Sequence, residues 1–243
     1  MRVALYIDDA NLSANSGGHP INWRAFVKFA QKFGELTHAR LYDSISPEFD
    51  GTPPHTNFVN AIRRMGITYT RVPYRSYTNG EEHIVKGNVD GHLIADCMRA
   101  SASFDVLVLA SADADYLRMV EHLRADGKYV IATSFSRPAI DLRIAVDLYL
   151  SAYLFPGCLR DDDGSTVRGV CYNTLPESGL GYLRYIKPDW SGDIMETDNR
   201  VTGAAWESAK FNIPAGLISA LPNTDIVLEF SLINGAARGV RTV

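Results

Sequence analysis

The stretch from Lys86 to Tyr116 places the strongest constraint on how this chain can fold. It reads as a helix that carries acidic residues, then a buried strand, then a loop with two more carboxylates. The run FDVLVLAS is continuously apolar, which is the pattern of a parallel strand covered on both faces. Asp113 and Asp115 follow where that strand must end. Open α/β sheets bind ligands beyond the carboxyl ends of their strands, so the acids stand where such folds do chemistry.

A second short strand near the N-terminus brings further acids to the same place. Residues 3–7 read VALYI, and Asp8, Asp9 and Asn11 follow at once. If the two strands are parallel neighbours, Asp8 and Asp113 emerge side by side. Clustered carboxylates repel one another unless a cation or protons neutralise them. Because Mg²⁺ takes carboxylates, waters and substrate phosphates as ligands, the pattern predicts a Mg²⁺ or Mn²⁺ site that handles phosphate esters.

The candidate ligands differ in how well the sequence supports them. Asp113 is the strongest, and Asp8 and Asp90 join it as predicted metal ligands and catalytic residues. Asp115 is a fourth, although it would serve equally well as the N-cap of the next helix. Asp96 is kept as an alternative ligand. It lies six residues after Asp90, about 240° around a regular helix, so the two carboxylates do not point at one ion.

Four residues near these acids are candidates for substrate binding. Asn11 and Ser111 follow the two strands and either contact phosphate or satisfy the strand ends. Arg75 and Lys86 lie in or beside a polar segment, residues 73–85, which we interpret as an irregular loop. Their positive charges could hold substrate phosphates, whereas isolated basic residues are usually solvated.

The order of the predicted elements indicates two domains. Strand and helix alternate up to about residue 156, with helix starts at Asn22 and at Thr52–Pro53, which argues an α/β fold with a mostly parallel sheet. Residues 157–169 are polar and acidic and read as a linker. Beyond it, residues 170–243 contain short strands broken by Gly, Pro and Asn, which predicts a small all-β module.

Composition excludes several classes of protein. The 243 residues carry a formal charge of −4, so no global basic signature of nucleic-acid binding is present. The 3 cysteines have neither disulfide-framework nor zinc-site spacing. No apolar run approaches the ~20 residues of a membrane span, and the first strand leaves no room for a signal peptide. We therefore expect a cytoplasmic protein without a membrane partner; a homo-oligomer stays open.

Most of residues 1–150 resembles the NYN domains, a branch of the PIN-like nuclease superfamily, with the LabA-like group as the nearest fit. The resemblance rests on YIDDANL at 6–12, KGNVDGHLIAD at 86–96, LASADADY at 109–116 and AIDLRIAVDLY at 139–149. In the third block the family typically has Ser-Gly-Asp-x-Asp-Phe, so Ala112 and Tyr116 are departures. In the first, Asp9 replaces a glycine. The resemblance implies a three-layer PIN-like fold and a metal-dependent ribonuclease, or a member of unknown activity.

The C-terminal module resembles a cold-shock-type OB-fold over about residues 168–243. GLGYL at 179–183 stands in the place of that family's RNA-binding Gly-Phe-Gly-Phe run, and AKFNI at 209–213 keeps an aromatic residue. The resemblance implies that Tyr182 and Phe211 stack on single-stranded RNA. Leu180 departs from the family, because an aromatic residue is usual there.

These observations lead to one hypothesis with two rivals. We expect a metal-dependent nuclease, an endoribonuclease, that hydrolyses RNA with Mg²⁺ or Mn²⁺ as cofactor while the β module assists substrate or partner binding. The first rival is a catalytically inactive RNA- or protein-binding adaptor. The second is a haloacid-dehalogenase-like phosphatase, which also begins with an aspartate at a strand end. That chemistry needs a second Asp two residues later, where this chain has Ala10.

Overall fold

The structure is a computed structural model and describes the backbone of all residues except 80–81, 163–164 and 199–200; the side chains of residues 73–79, 82–86 and 176 also lie outside the description. The chain forms two compact units, each built from two stretches of sequence. The first unit contains residues 1–18 and 29–150, and the second contains residues 19–28 and 151–243. In the described part of the chain, no helix is long and apolar enough to cross a membrane.

The first unit is built on a seven-stranded sheet with the order β4-β3-β2-β1-β5-β6-β7. Its strands are β1 (Arg2–Asp8), β2 (Glu35–Ile45), β3 (Thr68–Asn79), β4 (Glu82–Gly87), β5 (Val106–Ala110), β6 (Tyr129–Ser134) and β7 (Leu148–Ser151). The central strands β3, β2, β1, β5 and β6 are parallel neighbours, whereas β4 pairs antiparallel with β3. This mostly parallel sheet confirms the PIN-like α/β fold class expected from the sequence.

Six helices accompany these strands in the described chain: α1 (Asp9–Asn15), α2 (Trp23–Gln31), α3 (Pro53–Arg64), α4 (Val89–Ala100), α5 (Leu117–Ala125) and α6 (Ile140–Ala145). Local sequence explains several of their starts. Pro53 occupies the first turn of α3 behind Thr52, where its missing N–H costs no helical hydrogen bond. The side chain of Asn88 accepts from the backbone nitrogen of Gly91 and caps α4.

Alternation along β1 determines what lies on each side of the sheet. Ala4 and Tyr6 face a core that also contains Leu93 and Cys97 of α4 and residues of α5. Because side chains alternate along a strand, Asp8 follows on the same face as Tyr6. The register pairs Ile7 with Ala110, so β1 and β5 end side by side and the acids that follow them meet at one edge of the sheet.

The second unit contains a closed five-stranded barrel, which confirms the predicted all-β module. Its strands are β8 (Thr166–Leu175), β9 (Leu180–Ile186), β10 (Trp206–Asn212), β11 (Asn223–Ile233) and β12 (Ala236–Thr242), in the ring order β10-β12-β11-β8-β9. The barrel is filled by apolar side chains such as Leu183, Phe211 and Phe230.

Two segments differ from the elements that the sequence suggested. The described residues of the predicted loop 73–85 are strand instead, because β3 continues to Asn79 and pairs with β4 from Glu82. Tyr and Thr favour strands, but a polar edge hairpin lacks the apolar alternation on which the prediction relied. In the second unit, β8 begins at Thr166, inside the segment interpreted as a linker. The boundaries proposed for the two domains stay a prediction.

Candidate metal centre

Three carboxylates converge beyond the carboxyl end of the sheet. One oxygen each from Asp90, Asp113 and Asp115 lies within 4.8 Å of the other two. Asp90 is in the first turn of α4, whereas the other two follow β5. Asp90 and Asp113 are partly buried and Asp115 is exposed, so the group opens to solvent. The fold brings together these three of the predicted ligands. Asp90, Asp113 and Asp115 are therefore the candidate metal-binding group.

Asp113 is also the capping residue of a short 3₁₀ turn at residues 114–116. Its Oδ1 accepts a hydrogen bond of 3.0 Å from the backbone nitrogen of Asp115. The sequence allowed Asp115 to be the N-cap of the next helix, but the cap is Asp113. The Asp115 carboxylate is exposed, while one oxygen of Asp113 is held by the backbone.

Asp8 lies beside this group as a buried anchor. Its side chain is 3% exposed. Oδ1 accepts from the backbone nitrogen of Asn11 at 3.1 Å, and Oδ2 accepts from the hydroxyls of Ser111 and Tyr116 at 3.3 and 3.0 Å. Burial raises the pKa of the Asp8 carboxyl, and the charge of Asp90 adds to this, while the three hydrogen bonds oppose it.

Tyr116 connects Asp8 with the candidate metal-binding group, a role that no pattern in the sequence indicates. Its hydroxyl lies 3.0 Å from Asp8 Oδ2 and 3.0 Å from Asp90 Oδ1. Asp8 Oδ2 and Asp90 Oδ1 can therefore be no farther apart than the sum of these two distances. Burial raises the pKa of the Tyr116 phenol, and both neighbouring carboxylates raise it further. The residue is therefore a neutral donor between two acids.

Asn11 and Ser111, the predicted substrate contacts, have structural partners. The Asn11 side-chain oxygen accepts from the backbone nitrogen of Ala112 at 3.0 Å. The Ser111 hydroxyl is fully buried, donates to Asp8 and accepts from the backbone nitrogen of Asp113 at 3.2 Å. Asn11 joins the start of α1 to the loop after β5, and Ser111 joins that loop to Asp8 at the end of β1, so the structure favours the strand-end alternative over a substrate contact.

Asp96 does not join the metal-binding group. Its carboxylate pairs with Arg40 at 2.9 Å and Arg99 at 3.6 Å, and it accepts from the Tyr42 hydroxyl at 3.0 Å. The expectation that Asp96 is an alternative ligand is therefore wrong, because the helix turns it towards β2. The side chains of Arg75 and Lys86 lie outside the described residues.

The two aromatic candidates of the barrel have different surroundings. Phe211 is 2% exposed and packs in the barrel core, so it offers no stacking surface and the expectation for it was wrong. Tyr182 is partly buried on the outer face, and its ring centroid lies 6.5 Å from that of Tyr172. Of the two, Tyr182 alone stays a candidate for base stacking.

A second acidic pair lies near the metal-binding group and was not predicted. Asp9 begins α1, and Asp43 lies near the end of β2. Burial raises the pKa of Asp9 to about 7, with further contributions from the charges of Asp43 and Asp8, against a hydrogen bond from Ser13. Asp43 accepts from the Tyr69 hydroxyl at 2.7 Å, which in turn lies 2.9 Å from His55 Nε2. Only side-chain coordinates reveal this chain of contacts.

Comparison with known proteins identifies the first unit. The model of the NYN domain family matches residues 2–154. The chain belongs to the NYN domain family. NYN domains are part of the PIN-like nuclease superfamily. The match confirms the first of the two resemblances described above and leaves the cold-shock resemblance of the barrel as a proposal.

One curated protein and one solved structure are similar to this NYN protein. The "Low amplitude and bright protein LabA" of Synechococcus elongatus is 26% identical over 157 residues, which cover 61% of this chain and 82% of LabA. A crystal structure of a protein of unknown function, VPA0982 from Vibrio parahaemolyticus, superimposes with a TM-score of 0.54 at 20% identity. That alignment covers 62% of this chain and 91% of VPA0982, and it supports the fold.

Asp90, Asp113 and Asp115 fit a hard divalent cation. Carboxylate oxygens are the donors that Mg²⁺ and Mn²⁺ prefer. Three carboxylates with oxygens inside 4.8 Å repel one another unless a cation or protons lie between them. Asp115 is exposed, which leaves room for water and for a phosphate on the open side.

Proposed function

We propose that this protein is a metal-dependent endoribonuclease that hydrolyses phosphodiester bonds of single-stranded RNA. The observation that carries the proposal is the convergence of Asp90, Asp113 and Asp115 within 4.8 Å. These residues would hold Mg²⁺ or Mn²⁺, which activates water and neutralises phosphate charge when bound. Membership of the NYN family supports the reaction class.

Each side chain has a distinct task in this proposal. Asp90 and Asp113, partly buried, hold the inner side of the site, and Asp115 faces the substrate from the exposed side. Asp8 would supply negative charge behind them, held by three hydrogen-bond donors, and its role as a metal ligand stays a prediction. Asn11 and Ser111 connect the start of α1 and the end of β1 with the loop after β5.

We also propose that the barrel is an OB-fold that assists RNA binding. Five strands in a closed ring are typical of this fold, which binds oligonucleotides on the face formed by its second and third strands. Here these strands are β9 and β10. Their outer face presents Tyr182 and Lys210, which are neighbours in the register, and the guanidinium of Arg184 lies 5.3 Å from the Trp206 ring. A cytoplasmic location and a homo-oligomer remain predictions.

The direct test is cleavage of a labelled single-stranded RNA by the full chain with Mn²⁺ and with EDTA. We compare the parent with Asp113→Asn, which removes one charge with almost no change of shape, and with Asp126→Asn, which makes the same change at an exposed position. We expect cleavage by the parent and by Asp126→Asn with Mn²⁺, and none by Asp113→Asn. Equal cleavage by all three proteins would place the activity elsewhere, and no cleavage by any would favour an adaptor.

A further inference from the structure

We propose that Tyr116 is a positioning residue of the candidate metal centre: its hydroxyl holds the Asp90 carboxylate in place against the fixed carboxylate of Asp8. The inference rests on the proposed function to the extent that Asp90 is taken as a metal ligand. It adds a residue whose hydroxyl the family motif lacks, since that motif ends in phenylalanine. Asp8, Asp90 and Tyr116 all belong to the first unit.

Asp8 is the fixed end of this connection. Its carboxylate is buried and receives hydrogen bonds from one backbone N–H and two hydroxyls. Asp8 also caps α1 through the bond from Asn11, so its position is tied to the start of that helix. A carboxylate with this number of donors has little freedom to rotate.

Tyr116 is almost equally constrained. Its ring is fully buried in the core that also contains Leu93 and Tyr6, and its backbone belongs to the 3₁₀ turn that carries Asp115. The phenol oxygen is therefore held at 3.0 Å from both Asp8 Oδ2 and Asp90 Oδ1. A phenol has one hydrogen, so the two carboxylates share a single donor.

The shared donor determines where the Asp90 carboxylate rests. Asp90 comes from α4, whereas Asp113 and Asp115 come from the loop after β5. The three carboxylates therefore stay close only if α4 and this loop keep a fixed relative position. Tyr116 belongs to that loop and contacts Asp90 directly. Without the hydroxyl, Asp8 and Asp90 lose the donor that they share. We infer that Asp90 then turns away from the other two ligands.

The test compares Tyr116→Phe with Tyr42→Phe in the full chain. Both variants remove a buried phenol hydroxyl that donates to an aspartate within the same core, but Tyr42 donates to Asp96, outside the metal-binding group. Mn²⁺ affinity is measured by titration calorimetry. Because groups that orient a ligand typically change metal affinity by ~10–100-fold, we expect Tyr116→Phe to bind Mn²⁺ at least tenfold more weakly. Tyr42→Phe should stay within about twofold of the parent.

A second measurement distinguishes a failure of this inference from a failure of the proposed function. Crystal structures of the parent and Tyr116→Phe without metal should show Asp90 moved away from Asp113 in the variant. A parent that binds Mn²⁺ but cleaves no RNA contradicts the ribonuclease proposal and leaves the role of Tyr116 supported by the binding data. An Asp90 carboxylate that stays in place, or a Mn²⁺ affinity that is unchanged or falls equally in Tyr42→Phe, overturns the inference.

Discussion

Arg168 and Asp162 form a bidentate ion pair inside the second unit, with nitrogen–oxygen distances of 2.7 and 2.9 Å. The two side chains are only 8% and 10% exposed. Arg168 also lies 2.8 Å from a carboxylate oxygen of Glu229 on β11. The acidic segment around Asp162 is therefore joined to the barrel by a buried charge network, which polar composition alone would not indicate.

We predict that Arg168→Met destabilises the second unit by about 3–5 kcal/mol, because it leaves the buried Asp162 carboxylate without its arginine and removes one of the two arginine partners of Glu229. Urea unfolding followed by the fluorescence of Trp190 and Trp206 measures the loss. Arg241→Met is the control. Arg241 pairs with the same Glu229 but is 75% exposed, so it should contribute less than about 1 kcal/mol. Similar losses in both variants would contradict the buried network as the cause.

Divalent cations should stabilise the folded protein. At a Mn²⁺ concentration of about 100 times Kd, binding to the folded state alone contributes ~2.7 kcal/mol, and the melting temperature should rise accordingly. Asp113→Asn should lose most of that rise, whereas Asp126→Asn should keep it. Thermal scans with Mn²⁺ and with EDTA provide the measurement, and an equal rise in Asp113→Asn would place the bound ion at another site.

Asp9 should make the stability of the first unit depend on pH. Its folded-state pKa of about 7 lies above the ordinary value of 3.8, so the folded protein binds the extra proton more tightly than the unfolded chain does. The resulting stabilisation is present below pH 4 and is lost as the pH rises to 7. Asp9→Asn should therefore be more stable than the parent at pH 8, on the order of 2 kcal/mol, and the difference should vanish near pH 4.

This prediction is checked by urea unfolding in EDTA at several pH values. Glu48→Gln removes the charge of an exposed carboxylate and should show no comparable trend. A constant difference between Asp9→Asn and the parent from pH 4 to 8 would mean that the Asp9 carboxyl does not titrate in this range.

The two aromatic residues of the barrel should respond differently to truncation. Tyr182→Ala should weaken single-stranded RNA binding by ~1–3 kcal/mol if one base stacks on this ring, with little loss of stability. Phe211→Ala removes a core side chain and should destabilise the barrel by about 3–5 kcal/mol. Fluorescence anisotropy with labelled RNA and urea unfolding separate the two effects. Unchanged RNA affinity in Tyr182→Ala would exclude stacking at this position.

The sequence was informative where strand ends determine position. Asp113 and Asp115 were predictable because FDVLVLAS can hardly be anything but a buried strand, and ligand groups follow such strands. The geometry of an α-helix predicted that Asp90 and Asp96 would not share one ion. In the structure, Asp96 pairs with Arg40. Asp8 was placed at the correct edge, but two of its three donors, Ser111 and Tyr116, are more than 100 positions away in the sequence.

The sequence could not predict contacts that depend on the position of a single side-chain atom. The phenol oxygen of Tyr116 contacts Asp8 and Asp90 because the 3₁₀ turn aims the ring into the core, and neither periodicity nor composition encodes that direction. For Phe211, the sequence-based prediction itself was wrong. Its position in a family motif suggested a surface role, whereas strand alternation places it on the inner face of the closed barrel.

The division of the chain has a consequence for synthesis on the ribosome. Residues 19–28 belong to the second unit, and there Asn22 and Pro20 bond to backbone groups of residues 158 and 160. The ribosome makes that segment long before residues 151–243 exist, so its final partners are missing while most of the first unit emerges. Trp23 and Phe26, both buried in the finished protein, are then unprotected apolar groups. We therefore expect these two side chains to be open to a nascent-chain chaperone early in translation, until residues 151–243 are released.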